Sequence, residues 1–66
     1  MNADIREKIR EARKEKQLTQ EELATKSNVN RATIVALENG TAEDVKISTL
    51  QKLAAAMNMM VQDMLF

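Results

Sequence analysis

Residues 20–39 read QEELATKSNVNRATIVALEN, and the way this stretch divides decides the fold. Thr19 and Glu22 form a Thr-x-x-Glu capping box at its start, with Leu18 before the cap placed to staple onto Leu23. Asn30 is a second N-cap, and Val29 stands to Ile34 as Leu18 stands to Leu23. Between the two helices lie only Ser27 and Asn28, and asparagine tolerates the left-handed conformation that a tight inter-helix turn demands. Two helices crossing steeply about a turn follow. Ala24 is small where they approach most closely, while Val29, Ile34 and Leu37 point into a shared core. The outside of the second helix keeps Arg31, Ala32, Val35, Ala36 and Asn39.

Working outward, Ile5, Ile9 and Ala12 recur at i, i+4 and i+7 among charged residues, which predicts a helix from Asp4 to Lys16 with one apolar stripe. Downstream, Asn39-Gly40 ends the second helix of the pair, because glycine takes positive φ at no steric cost. A polar loop covers Thr41 to Lys46. Ser48 with Gln51 makes another capping box, and Leu50, Leu53, Ala54 and Met57 line one face of the helix it opens. A short last helix runs from Val61 to Leu65. The chain has no proline and a single glycine, so helices throughout, and an all-α fold, are expected.

A chain of 66 residues makes one domain with a small core, spanning 1–66. It has no cysteine and no histidine, which removes disulfides, thiolate chemistry and most zinc sites and makes a reducing cytoplasm the expected compartment. The longest apolar run, Leu53 to Met57, is far short of the ~18 residues of a membrane span, and the start of the chain lacks a secretory pattern. Ten basic residues balance ten acidic ones, whereas nucleic-acid binders are more often basic overall. The balance is uneven along the chain: residues 1–31 hold eight basic and six acidic side chains (+2), and residues 32–66 two and four (−2). An enzyme has little to work with here. There is no His, Cys or Tyr, the two serines are taken by a turn and a helix start, and glycine-rich phosphate loops and metal-spaced ligand clusters are absent. No cofactor or metal is expected.

From Ile9 to Phe66 the sequence resembles the phage repressor and Cro type of helix-turn-helix domain, the XRE family. The resemblance is carried by Leu18-Thr19-Gln20-Glu21-Glu22-Leu23-Ala24, by Leu37-Glu38-Asn39-Gly40 and by residues 48–57 with the hydrophobic ending that follows. It implies a compact five-helix domain whose helix from Arg31 enters the DNA major groove. In the family the residues matching Gln20 and Asn39 donate to DNA phosphates, and those matching Arg31, Ala32 and Ala36 face base edges. Arg31 is then expected to grip guanine O6 and N7 while the two alanines leave room for thymine methyls, and Val35 completes the base-reading set. Thr19, Asn30, Thr33 and Arg13 complete the phosphate-facing set. The family also pairs a helix 1 arginine with a helix 3 glutamate, and Arg13 and Glu38 occupy those places as a brace, either purely structural or also serving phosphate.

Three departures from the family pattern stand out. Asn28 replaces a frequent glycine. Glu43-Asp44 replaces a commonly basic loop, which like charge keeps off the DNA. Met60 replaces a serine cap, so the last helix is expected to be poorly capped. The Met start and the Leu65-Phe66 ending are those expected of a whole protein.

Four of the five methionines, Met57, Met59, Met60 and Met64, fall in the last ten residues. Met57 and Met59 fit a core, while Met60, Val61, Met64, Leu65 and Phe66 exceed what one short helix can bury. They are expected to form the interface of a two-fold homodimer reading a palindromic site in double-stranded DNA. The function expected is a sequence-specific transcriptional repressor, since no sensor domain is visible. The alternative is an antitoxin or protein-interaction module whose partner, a toxin or a regulator, docks on the apolar C-terminus.

Overall fold

The structure is a computed structural model and describes residues 5–65. Among these are five α-helices and no strand: α1 (Ile5–Glu15), α2 (Gln20–Ser27), α3 (Arg31–Asn39), α4 (Ile47–Ala56) and α5 (Val61–Leu65). Helix α3 lies between α1 and α2; α4 packs on α2, and α5 closes against α1 and α4. Ile9, Leu23, Ile34, Leu50, Leu53, Met57 and Met64, drawn from every helix and the turn after α4, meet as fully buried side chains. In a domain with so little interior, each such side chain contributes about 1.5–3 kcal/mol by leaving water.

The starts of α2 and α3 are fixed by local chemistry as expected. Thr19 Oγ1 accepts the Glu22 N–H at 3.0 Å while Glu22 Oε1 accepts the Thr19 N–H at 2.8 Å, completing the capping box. Asn30 Oδ1 accepts the Ala32 N–H at 2.8 Å. Between them Asn28 adopts φ 60°, and the Ser27 hydroxyl, buried beneath the turn, accepts the Val29 N–H at 3.2 Å. The Val29 N–H is thereby paired within the turn.

Helix α1 ends at Glu15, and Asp4 lies outside the described residues. Gln17 takes φ 60°, which lets the Leu18 N–H reach the Arg13 carbonyl at 3.0 Å and the Gln17 N–H reach Lys14 at 2.9 Å. The same two-bond closure ends α3 at Gly40 and the segment after α4 at Asn58. Only the glycine was predicted; a left-handed glutamine has no sequence signature.

One helix start differs from expectation. Helix α4 begins before Ser48, because the Lys46 carbonyl accepts the Thr49 and Leu50 N–H groups at 3.1 and 3.2 Å. Ser48 lies inside the first turn and caps nothing, and Lys46 at the cap position offers no side-chain bond. Helix α5, expected to be poorly capped, has half of a capping box: Asp63 Oδ2 accepts the Met60 N–H at 2.9 Å. Its carboxylate in the first turn also suits the helix dipole.

The C-terminal patch is smaller than expected. Met64, assigned to a dimer interface, is 0% exposed and belongs to the core, because α5 turns that face toward α1 and α4. Val61 is half-buried, Leu65 is exposed, and Met60 stands 61% exposed; Phe66 lies outside the described residues. Two apolar residues of the segment read as a polar loop and of the helix that follows it, Val45 and Ile47, are also exposed.

Candidate nucleic-acid interface

Helix α3 carries the face to be tested. Arg31 and Ala32 sit in its first turn and are exposed, Thr33, Val35 and Ala36 are half-buried, and Asn39 is exposed at its end. Ile34 and Leu37 anchor the opposite side in the core. The helix thus presents one cation and several small side chains on a surface free of bulky groups, a shape that fits against base edges.

Glu38 is the exception to this division, a carboxylate 4% exposed on α3. It accepts from Arg13 Nε at 2.7 Å and from Arg13 Nη2 at 2.9 Å, a two-pronged ion pair across to α1. Arg13 Nη1 also donates to the Leu18 carbonyl at 2.9 Å, and Gln20 Nε2 donates to Glu38 Oε1 at 3.1 Å. One carboxylate therefore ties α1, the start of α2 and the end of α3 together. Burial pushes the Glu38 carboxyl up, but the hydrogen bonds from Arg13 and Gln20, with the charges of Arg13 and Arg10, outweigh it and hold the group below the ordinary carboxylate range. The Arg13 guanidinium is correspondingly raised, first by its hydrogen bond to Glu38.

The expected phosphate donors divide in the structure. Thr19 and Asn30 spend their acceptor oxygens on backbone N–H groups, which leaves the Thr19 hydroxyl hydrogen and the Asn30 amide NH₂ as donors at exposed helix starts. Gln20 keeps the second hydrogen of its amide, and because a carboxylate only accepts, Glu38 fixes which end of that amide faces inward. Arg13 is the least available, with three of its five N–H groups committed and its side chain 12% exposed. The brace expected of Arg13 and Glu38 is present, with Gln20 as a third member that spacing alone did not suggest.

The family model described as helix-turn-helix matches residues 9–59. The chain belongs to this family. It is an XRE-type helix-turn-helix protein, a DNA-binding regulator with α2 and α3 as its paired helices. Neither the curated proteins nor the solved structures yield a significant match. Among the described residues, no helix of this XRE-type domain is long and apolar enough to cross a membrane.

Sequence inspection missed two arginines beside the helix-turn-helix. Arg10 contributes to holding the Glu38 carboxyl ionised, and the side chain of Arg6 lies across Gly40, where a Cβ would come within 2.6 Å of its Cδ and Nη1. The available signal was their spacing from Arg13, at i−3 and i−7 on α1.

Proposed function

We propose that this protein is a sequence-specific repressor that binds a palindromic operator in double-stranded DNA as a homodimer. The observation that carries the reading is the capped, braced α3 with Arg31 and Ala32 exposed on its first turn, held against α1 by the buried Glu38 and Arg13. Arg31 reads guanine, Ala32, Val35 and Ala36 accommodate thymine methyls, and Gln20, Thr19, Asn30, Thr33 and Asn39 hold phosphates on either side. Met60, Val61 and Leu65 join the two copies, which sets the reading helices about one DNA turn, ~34 Å, apart. Occupying a promoter then suffices to repress.

Selection from random duplex DNA at a stated near-physiological salt tests this. A two-fold symmetric motif is expected, with Arg31→Ala losing ~1–3 kcal/mol of discrimination at one base pair of each half-site. Absence of any motif refutes the reading.

A protein-interaction role draws on different residues, the exposed Val45 and Ile47 in the α3–α4 connection. Under that reading the chain binds an unrelated protein, a toxin or a regulator, and co-purifies with it in a fixed ratio that Ile47→Lys abolishes.

A further inference from the structure

Helix α1 carries its charges in separate stripes. At ~100° per residue, Arg6, Arg10 and Arg13 fall within an arc of about 60°, whereas Glu7, Glu11 and Glu15 occupy the neighbouring arc, farther round from the core. Ile5, Ile9 and Ala12 take the buried side, so the arginine stripe borders the core along the edge that meets α3. At both ends of the stripe, contacts with α3 and its cap show its direction. Arg13 reaches Glu38 next to Gln20, the charge of Arg10 acts on the same carboxylate, and Arg6 lies over Gly40 beside Asn39.

The stripe therefore runs from one expected phosphate donor to the other. From Arg6 to Arg13 it covers ~10 Å of helix. The connection after α3 does not supply this charge, since it carries Glu43 and Asp44. Arg13 is half-buried and paired with Glu38, and Arg6 and Arg10 are the exposed members of the stripe. Arg10 is exposed and lines a shallow hollow with Glu7, Glu11 and Lys14; exposed charges of this kind act on one another weakly and are screened by salt.

We infer that Arg6 and Arg10 on α1 are DNA-backbone contacts, a phosphate-binding strip alongside α3 that takes the place of a basic α3–α4 loop. The inference rests on the DNA-binding reading above and adds a surface outside the helix-turn-helix. Its contacts are independent of base sequence, and each exchanges a condensed counterion for an arginine.

The test is the salt dependence of binding, measured on a selected duplex and on random duplex of equal length. Arg6→Ala and Arg10→Ala are each expected to weaken both by a similar factor, and to lower the slope of log K against log salt by about one. Arg10→Lys restores the slope, and Lys52→Ala, on α4, leaves it at the parent value. The slope counts ions released and does not respond to thermal stability, so a merely destabilised variant that still folds keeps it. If the alanine variants bind with the parent slope, the strip is refuted although the protein binds DNA. If the parent shows no salt-dependent binding at all, the functional reading itself fails.

Discussion

Replacing Glu38 with glutamine keeps the shape of the side chain and removes its charge, which isolates what the carboxylate does. In the parent it accepts hydrogen bonds at 2.7, 2.9 and 3.1 Å, two of them from one guanidinium. Glutamine offers a single acceptor oxygen, so one prong of the Arg13 pair is lost and the cation is left partly buried without its counter-charge. Hydrogen bonds to charged groups contribute about 1.5–3 kcal/mol each, and Arg13 regains some water at its 12% exposed edge, so Glu38→Gln should cost about 2–3 kcal/mol. A domain of this size holds roughly 3–10 kcal/mol in total, and the midpoint of thermal unfolding should fall by about 10–20 °C.

The pH dependence supplies a second reading of the same site. Glu38 has a folded pKa below its ordinary value of 4.5, so its contribution is fully present above that value and is lost as pH falls through the lower folded pKa. The gap between parent and Glu38→Gln, followed by circular dichroism melts, should therefore narrow below about pH 4.5. Arg13→Met should reverse the sign. Without its partner the buried carboxyl is governed by desolvation, its pKa rises above the unfolded value, and this group favours folding as pH falls through the raised value. A Glu38→Gln protein within about 0.5 kcal/mol of the parent at neutral pH would refute the brace.

Other substitutions separate neighbouring roles. Gly40→Ala should cost about 1–2 kcal/mol in chemical denaturation, from the φ of 77° and the Arg6 side chain at 2.6 Å, and Arg6→Ala should recover the steric part alone. Gln17→Gly should raise stability by up to about 1 kcal/mol, since φ 60° strains glutamine but not glycine; no gain in melting temperature counts against the closure of α1 described above. Met64→Lys should abolish cooperative unfolding by charging the core. Met60→Lys, at a side chain 61% exposed, should leave the melt within about 0.5 kcal/mol of the parent while converting dimers to monomers in sedimentation; persisting dimers refute the patch.

Much of the architecture was legible because it is written in local chemistry. The Thr19–Glu22 box, the Asn30 cap, the left-handed Asn28 and Gly40 each depend on residues within a few positions of one another, and each is found where expected. What escaped detection depends on packing. Ser48 and Gln51 form a valid cap signature, yet the backbone starts α4 from the Lys46 carbonyl. Met60, just before α5, and Met64, within it, look alike in the sequence, and only the docking of α5 on α1 and α4 decides which is buried. The candidate interface shows the same division. Arg31 and Ala32 could be placed outward from the period of α3, whereas the third hydrogen bond to Glu38, from Gln20 across 18 residues, has no sequence pattern to announce it.

A net charge of zero also proves a poor guide to DNA binding in a domain this small. At physiological salt a charge is felt over ~8 Å, while the domain extends 30 × 23 × 19 Å, so a duplex on one face responds to that face and not to the sum. A helix with its side chains is about 10 Å across, so even the glutamate stripe of α1 lies near a full screening length from a phosphate held by its arginines. Exchanging Arg10 with Glu11 leaves net charge and composition untouched but turns the cation away from α3. If local charge governs, that exchange should weaken binding at least as much as Arg10→Ala; if net charge governs, it should change nothing.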